Sequence, residues 1–177
     1  TSAVRQLDEI TQQNASMVDA AVHSATDLQD RASTLAESVA LFQLQQGTAG
    51  EARALVDRAA AYRRQCGSRD AFVRDVTSVE KGFFDRDMYV FVLDRNGSYL
   101  AFGGNPSKVG TRVQDIAGID GQGLLDAIVA KAESGSGWVE YDITNPTTGR
   151  VQTKMSFVTR VDDLYLGCGV YKNLGQA

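Results

Sequence analysis

The sequence predicts an α+β protein: one long helix, then a domain of shorter helices around a five-stranded antiparallel sheet. Three observations predict it. Residues 3–46 carry an apolar stripe at steps of three and four, with no Pro or Gly before Gly47. Met88–Leu93 is six apolar residues in a row, rich in β-branched and aromatic side chains, and reads as a strand buried on both faces. Trp138–Ile143, Val151–Val161 and Leu164–Tyr171 read as three more strands, joined by turns short enough for antiparallel neighbours.

The stripe of the first helix runs Ala3, Leu7, Ile10, Asn14, Met17, Ala21, Ala25, Leu28, Ala32, Leu35, Val39 and Phe42. Consecutive steps of four from Met17 to Ala25 form a stutter, which locally relaxes a left-handed supercoil. The many alanines suit close-packed helices of a bundle. A helix this narrow and long needs partners. His23, the only histidine, sits here without a metal-ligating neighbour and reads as a solvated position.

Residues 47–50 are a linker, in which Gly47 ends one helix and Thr48 caps the next. Glu51–Gln65 is helical, Ser68 or Asp70 starts another helix, and Gly82 closes it. Arg63-Arg64 admits two readings, an anion clamp or favourable charge at a helix carboxy terminus. After Met88–Leu93, Asp94-Arg95-Asn96-Gly97 is a turn and Ser98–Phe102 a second strand, followed by the Gly103–Pro106 loop. Thr111–Ile119 is a loop, and Gly121–Glu133 a helix with Leu124, Leu125, Ile128 and Val129 inward. Asn145–Gly149 and Asp162-Asp163 are the last two turns.

Composition excludes several classes. The net charge of −4 leaves no basic footprint for nucleic acid, and no run approaches the ~20 apolar residues of a bilayer span. Cys66 and Cys168 are far apart without CxxC spacing, so neither a zinc site nor a disulfide framework is expected, and Cys168 reads as a buried thiol. A lone histidine on the long helix rules out a nucleophile–histidine–acid set, and Gly103-Gly104 lacks the Lys-Ser/Thr of a phosphate loop. No cofactor, metal or catalytic residue is expected. Thr1 reads as the start of a fragment.

Two stretches resemble known families. TQQNASMVDAAVHSATDLQDRASTLAESVALFQL resembles the carboxy-terminal end of the signalling domain of methyl-accepting chemotaxis proteins, with QQNA the most specific phrase. The resemblance implies that residues 1–46 are the last helix of a dimeric four-helix signalling bundle. It also implies homodimerisation through that helix and a receptor array with a histidine kinase and a coupling protein. The family places Glu/Gln pairs where this chain has Asp19-Ala20, so no methyl-accepting side chain is expected there. DMYVFVLDRNGSYLAFGGNPSKVG, with SGWVEYDITNP, the Lys of VQTKMSF and the final GCGVY, resembles single Cache domains, the PAS-like sensor modules of bacterial receptors. That likeness makes residues 51–177 a sensor domain. Together the two imply a ligand sensor that biases the bundle, in the cytoplasm or within a membrane-anchored receptor. A ligand-free Cache domain acting as a dimerisation or targeting cap is the alternative.

Strand alternation supplies the candidate pocket. Val139, Tyr141 and Ile143 share one face, opposite Trp138, Glu140 and Asp142; Gln152, Lys154, Ser156 and Val158 share another. Gly167 and Gly169, between Tyr165 and Tyr171, leave a recess for a ligand or for close packing. A cation, hydroxyls and aromatic walls suit a small organic anion. The candidate binding residues are Lys154, Tyr141, Tyr89, Phe91, Phe102, Ser156 and Trp138. Lys154 reads either as the ligand's counter-charge, its role in the Cache pattern, or as a solvated strand lysine, and its removal by Lys154→Ala is expected to cost no core volume even in the first case. Tyr141 and Tyr89 read as donors or as core aromatics. Phe102 stands where many Cache domains have a His.

Overall fold

In the computed structural model, which describes residues 2–144 and 149–172, the chain forms two compact units, residues 1–44 and 45–177. The first is α1, a helix over Ser2–Gln45. Its polar positions stay helical because hydroxyls fold back on the preceding turn: Thr11, Ser16, Ser24, Thr26, Thr34 and Ser38 each donate to the carbonyl four residues earlier. Leu7, Ile10, Met17, Leu28, Leu35 and Val39 of its stripe are all exposed, as is His23.

The second unit opens with α2 (Ala49–Gln65) and α3 (Arg69–Thr77). Thr48 caps α2 through a reciprocal pair of bonds: its hydroxyl accepts from the Glu51 amide, and its own amide donates to the Glu51 carboxylate at 2.8 Å. Ser68 caps α3. That helix ends at Thr77, and a separate 3₁₀ turn, Val79–Lys81, carries the chain to Gly82. Arg63 donates to the Cys66 carbonyl and pairs with Asp162 at 3.0 Å, so its guanidinium is engaged within the fold.

The strands are β1 (Phe84–Asp85), β2 (Met88–Leu93), β3 (Tyr99–Phe102), β4 (Gly137–Thr144), β5 (Val151–Val161) and β6 (Leu164–Tyr171). All pairings are antiparallel, in the order β1-β2-β6-β5-β4, with β3 also on β2. Among the described residues a short sixth strand joins the expected five, because Phe84–Asp85 folds back on Tyr89 and Met88 through Arg86 at φ 55°. Two residues are too few to show alternation. Asp94 accepts from the amides of Asn96 and Ser98, and Gly97 at φ 84° completes the β2–β3 turn. The turn expected over Asn145–Gly149 lies largely outside the described residues.

The sheet separates two cores. On one face α2 and α3 bring Val56, Ala59, Phe72 and Val76 onto Val90, Val92, Phe157, Leu166 and Cys168. On the other face α4 (Gly121–Ser134), capped by Asp120, lays Leu124, Leu125 and Ile128 over Phe91, Val139, Val158 and Tyr165. Because side chains alternate along a strand, β2 sends Met88 and Val90 to the first core and Phe91 to the second.

Candidate functional site

The second core is incompletely filled. A cavity of about 40 Å³ remains between the sheet and α4, lined by Tyr89, Phe91, Tyr99, Ile116, Leu124, Ile128, Tyr141, Ile143, Lys154, Ser156 and Gly169. Register builds its floor. Tyr141 lies opposite Lys154 and Val139 opposite Ser156 on β4–β5; Lys154 lies opposite Tyr171 and Ser156 opposite Gly169 on β5–β6. A side chain at Gly169 would meet Lys154 Cε at 2.7 Å and Ser156 Oγ at 2.6 Å, so glycine there leaves room for the lysine stem.

Lys154 is the electrostatic centre. Only 3% of its surface is exposed. Its ammonium donates to the Tyr89 hydroxyl at 2.9 Å and lies 4.6 Å and 4.9 Å from the ring centres of Tyr89 and Tyr171. No carboxylate among the described residues lies within ion-pair distance of it. Phenol rings soften the cost of burying this charge, but no carboxylate among the described residues neutralises it. Tyr141 and Ser156 share a hydrogen bond of 3.0 Å beside it. Burial pushes the Tyr89 hydroxyl up to about 12 and raises Tyr141, where the Lys154 charge pulls the other way. Both phenols are therefore protonated donors at neutral pH.

The structure gathers five of the seven residues named from sequence: Lys154, Tyr141, Tyr89, Phe91 and Ser156 line this cavity. Phe102 stands one layer back. It stacks on Tyr89 at 4.3 Å and meets Tyr99 edge-on at 5.4 Å, so it supports the wall without lining it. Trp138 is not brought here. It packs edge-on against Phe157 at 5.3 Å within the α2-side core, because odd and even positions of β4 face opposite ways. The solvated reading of Lys154 is overturned by its burial. Tyr165 does not line this cavity: its hydroxyl donates to Glu133 at 2.8 Å. Tyr99, Ile116, Leu124 and Ile128 complete the lining, and no polar pattern in the sequence marks them.

Leu124 and Tyr141 also line a shallower outer groove of about 400 Å³ between α4 and β4, so these two side chains partition the cavity from it. Behind the sheet, on the α2 face, Cys168 is a fully buried free thiol whose pKa burial pushes up to about 12. Among the described residues no cluster of ligating side chains could hold a metal ion.

The fold has known counterparts. The sensor histidine kinase MctS of Rhizobium johnstonii is 31% identical over 98 residues, 54% of this chain but 21% of that protein. The chain thus spans about a fifth of the length of that curated relative. A methyl-accepting chemotaxis protein from Vibrio parahaemolyticus superposes with a TM-score of 0.55 at 18% identity, over 69% of this chain and 86% of that one. A Cache chemosensory domain described for carboxylic acid recognition superposes at 0.54 with 20% identity, over 75% and 97%. Identities this low establish a shared fold. The sequence model of one family, single Cache domain 2, matches residues 10–173, nearly the whole chain and most of α1, so the protein belongs to the single Cache family of sensor domains.

Proposed function

We propose that the cavity receives a small organic anion, a short monocarboxylate, and that its occupancy biases α1 as part of a chemotaxis receptor. One observation carries the reading: Lys154 is a buried ammonium facing a cavity with no carboxylate partner among the described residues. A carboxylate entering there finds the counter-charge that the chain withholds, with Tyr89, Tyr141 and Ser156 as hydroxyl partners. A single cation suits one carboxylate and leaves a second without a partner. About 40 Å³ accommodates about three water-sized groups, which favours formate or acetate over longer acids. Carboxylic acid recognition by a related Cache domain supports the same chemistry. In this reading α1 is the last helix of a dimeric signalling bundle, coupled in a cytoplasmic array to a histidine kinase.

A second reading, a ligand-free dimerising or targeting cap, draws on a different observation. Tyr89 already accepts from Lys154, and the cavity is small. A thermal-shift panel of sodium formate, acetate, propionate, lactate, pyruvate and succinate at matched ionic strength separates the two. Ligand at about 100 times its dissociation constant adds about 2.7 kcal/mol, a rise of roughly 5–10 °C in a chain of this size. A flat response to every acid would leave the cap as the better account.

A further inference from the structure

We infer that Phe91, laid across Gly167, sets the chain length of the acid the cavity accepts; the inference rests on the monocarboxylate reading above. The two residues are directly opposed across β2 and β6. A Cβ built on Gly167 would fall into the distal edge of the Phe91 ring, with Cε2 at 2.8 Å and Cε1 at 2.9 Å. The ring thus occupies the volume that any other residue at 167 would fill. Gly167 has no positive φ, so the backbone tolerates a side chain there and the constraint is steric alone.

The surroundings decide where a displaced ring would go. Val158, fully buried, flanks Gly167 on β5, and Tyr99 meets Phe91 edge-on at 6.2 Å. Away from the sheet the ring borders the cavity that it shares with Leu124 and Ile128 of α4. Lifting the ring off Gly167 therefore moves it into the space for the ligand's alkyl end. Shortening it enlarges that space, while Lys154, Tyr89 and Ser156 keep their places around the carboxylate end.

Two opposed substitutions follow. Gly167→Ala raises the ring and lowers the ceiling, so acetate and propionate lose affinity relative to formate. Phe91→Leu opens the floor and raises the ceiling, so propionate and butyrate gain relative to acetate. A methylene in an apolar pocket discriminates by roughly 10- to 200-fold, so each ratio should move by about tenfold or more. The test is calorimetric titration of the full chain and both variants with formate, acetate, propionate and butyrate. Opposite movement of the two ladders is the expected result. Should Gly167→Ala fail to fold, the shift in Phe91→Leu decides alone. If the parent binds an acid but the folded variants keep its ladder within about twofold, Phe91 and Gly167 set no ceiling and the inference falls while the carboxylate reading stands. If the parent binds none of the four, the carboxylate reading falls and takes this inference with it.

Discussion

At the scale of single residues, the cavity turns on what it costs to keep an ammonium in an apolar sheet. Lys154 is too buried for Lys154→Ala to be harmless, since alanine would add a void. Lys154→Met keeps the stem and removes only the charge. The unliganded variant is expected to melt at or above the parent temperature, because an unneutralised buried charge is lost. The acid-induced shift should vanish. A Lys154→Met protein that still responds to the same acids would show that the charge is not the recognition element. The phenols predict a second behaviour. Burial holds Tyr89 at about 12 against a usual 10.0, raises Tyr141 and Tyr99, and lifts the Cys168 thiol to about 12. Each folded-state pKa is raised, so this stability is fully present below the unfolded values and drains away as pH rises through the folded ones. Chemical denaturation should lose on the order of a few kcal/mol between about pH 9, where an unfolded thiol ionises, and pH 12, and Tyr89→Phe should flatten the part above about pH 10. An alkaline limb unchanged in Tyr89→Phe would remove Tyr89 from the account.

At the scale of elements, α1 and the start of α2 make separate demands. A helix of this length with Leu7, Ile10, Met17, Leu28 and Leu35 in water gains nothing from burial, and propensity alone holds a helix only marginally. Self-association through the stripe is the expected remedy. Light scattering should find the full chain larger than a monomer and a chain beginning at Thr48 more monomeric; two monomers at high micromolar concentration would sink the bundle reading. The same helix should accept no methyl group at Asp19-Ala20, where the longer carboxylate needed for esterification is absent. Intact-mass analysis after incubation with a receptor methyltransferase tests this, and a gain mapping to residues 14–24 would contradict it. In α2, Thr48→Ala removes one half of the reciprocal cap and should cost about 1 kcal/mol by denaturant titration, where no measurable loss would mean the cap is redundant. Element bounds were legible where a pattern was long: Met88–Leu93, Val151–Val161 and Leu164–Tyr171 stand as the sequence predicts. Phe84–Asp85 was not, since a two-residue strand exists only through its partner.

At the scale of the whole molecule, alternation grouped Lys154 with Ser156 on one strand and Tyr141 with Val139 on the next, and only the pairing register brought the two groups to one face. The same alternation already set Trp138 against them. Its inclusion followed aromatic character rather than direction, and the α2-side core claims it. Tyr99 escaped notice because the β2–β3 ladder shifts register between Val92 and Leu93, which breaks the count along the short strand. Leu124, Ile128 and Ile116 come from a helix and a loop, where tertiary packing and not strand period decides what hangs over the sheet. The two cysteines give this closed sheet an internal clock. Cys66 is half-buried at the end of α2, whereas Cys168 has no exposed surface and a thiol that is scarcely ionised near neutral pH. A disulfide reagent should therefore modify one thiol promptly and the second only as often as the two layers part. The slow phase counts openings of the native state, with no denaturant and no heat. An acid bound at about 100 times its dissociation constant should stretch that phase about a hundredfold and leave the fast one untouched. Equal rates for the two thiols would mean that the sheet is not shut.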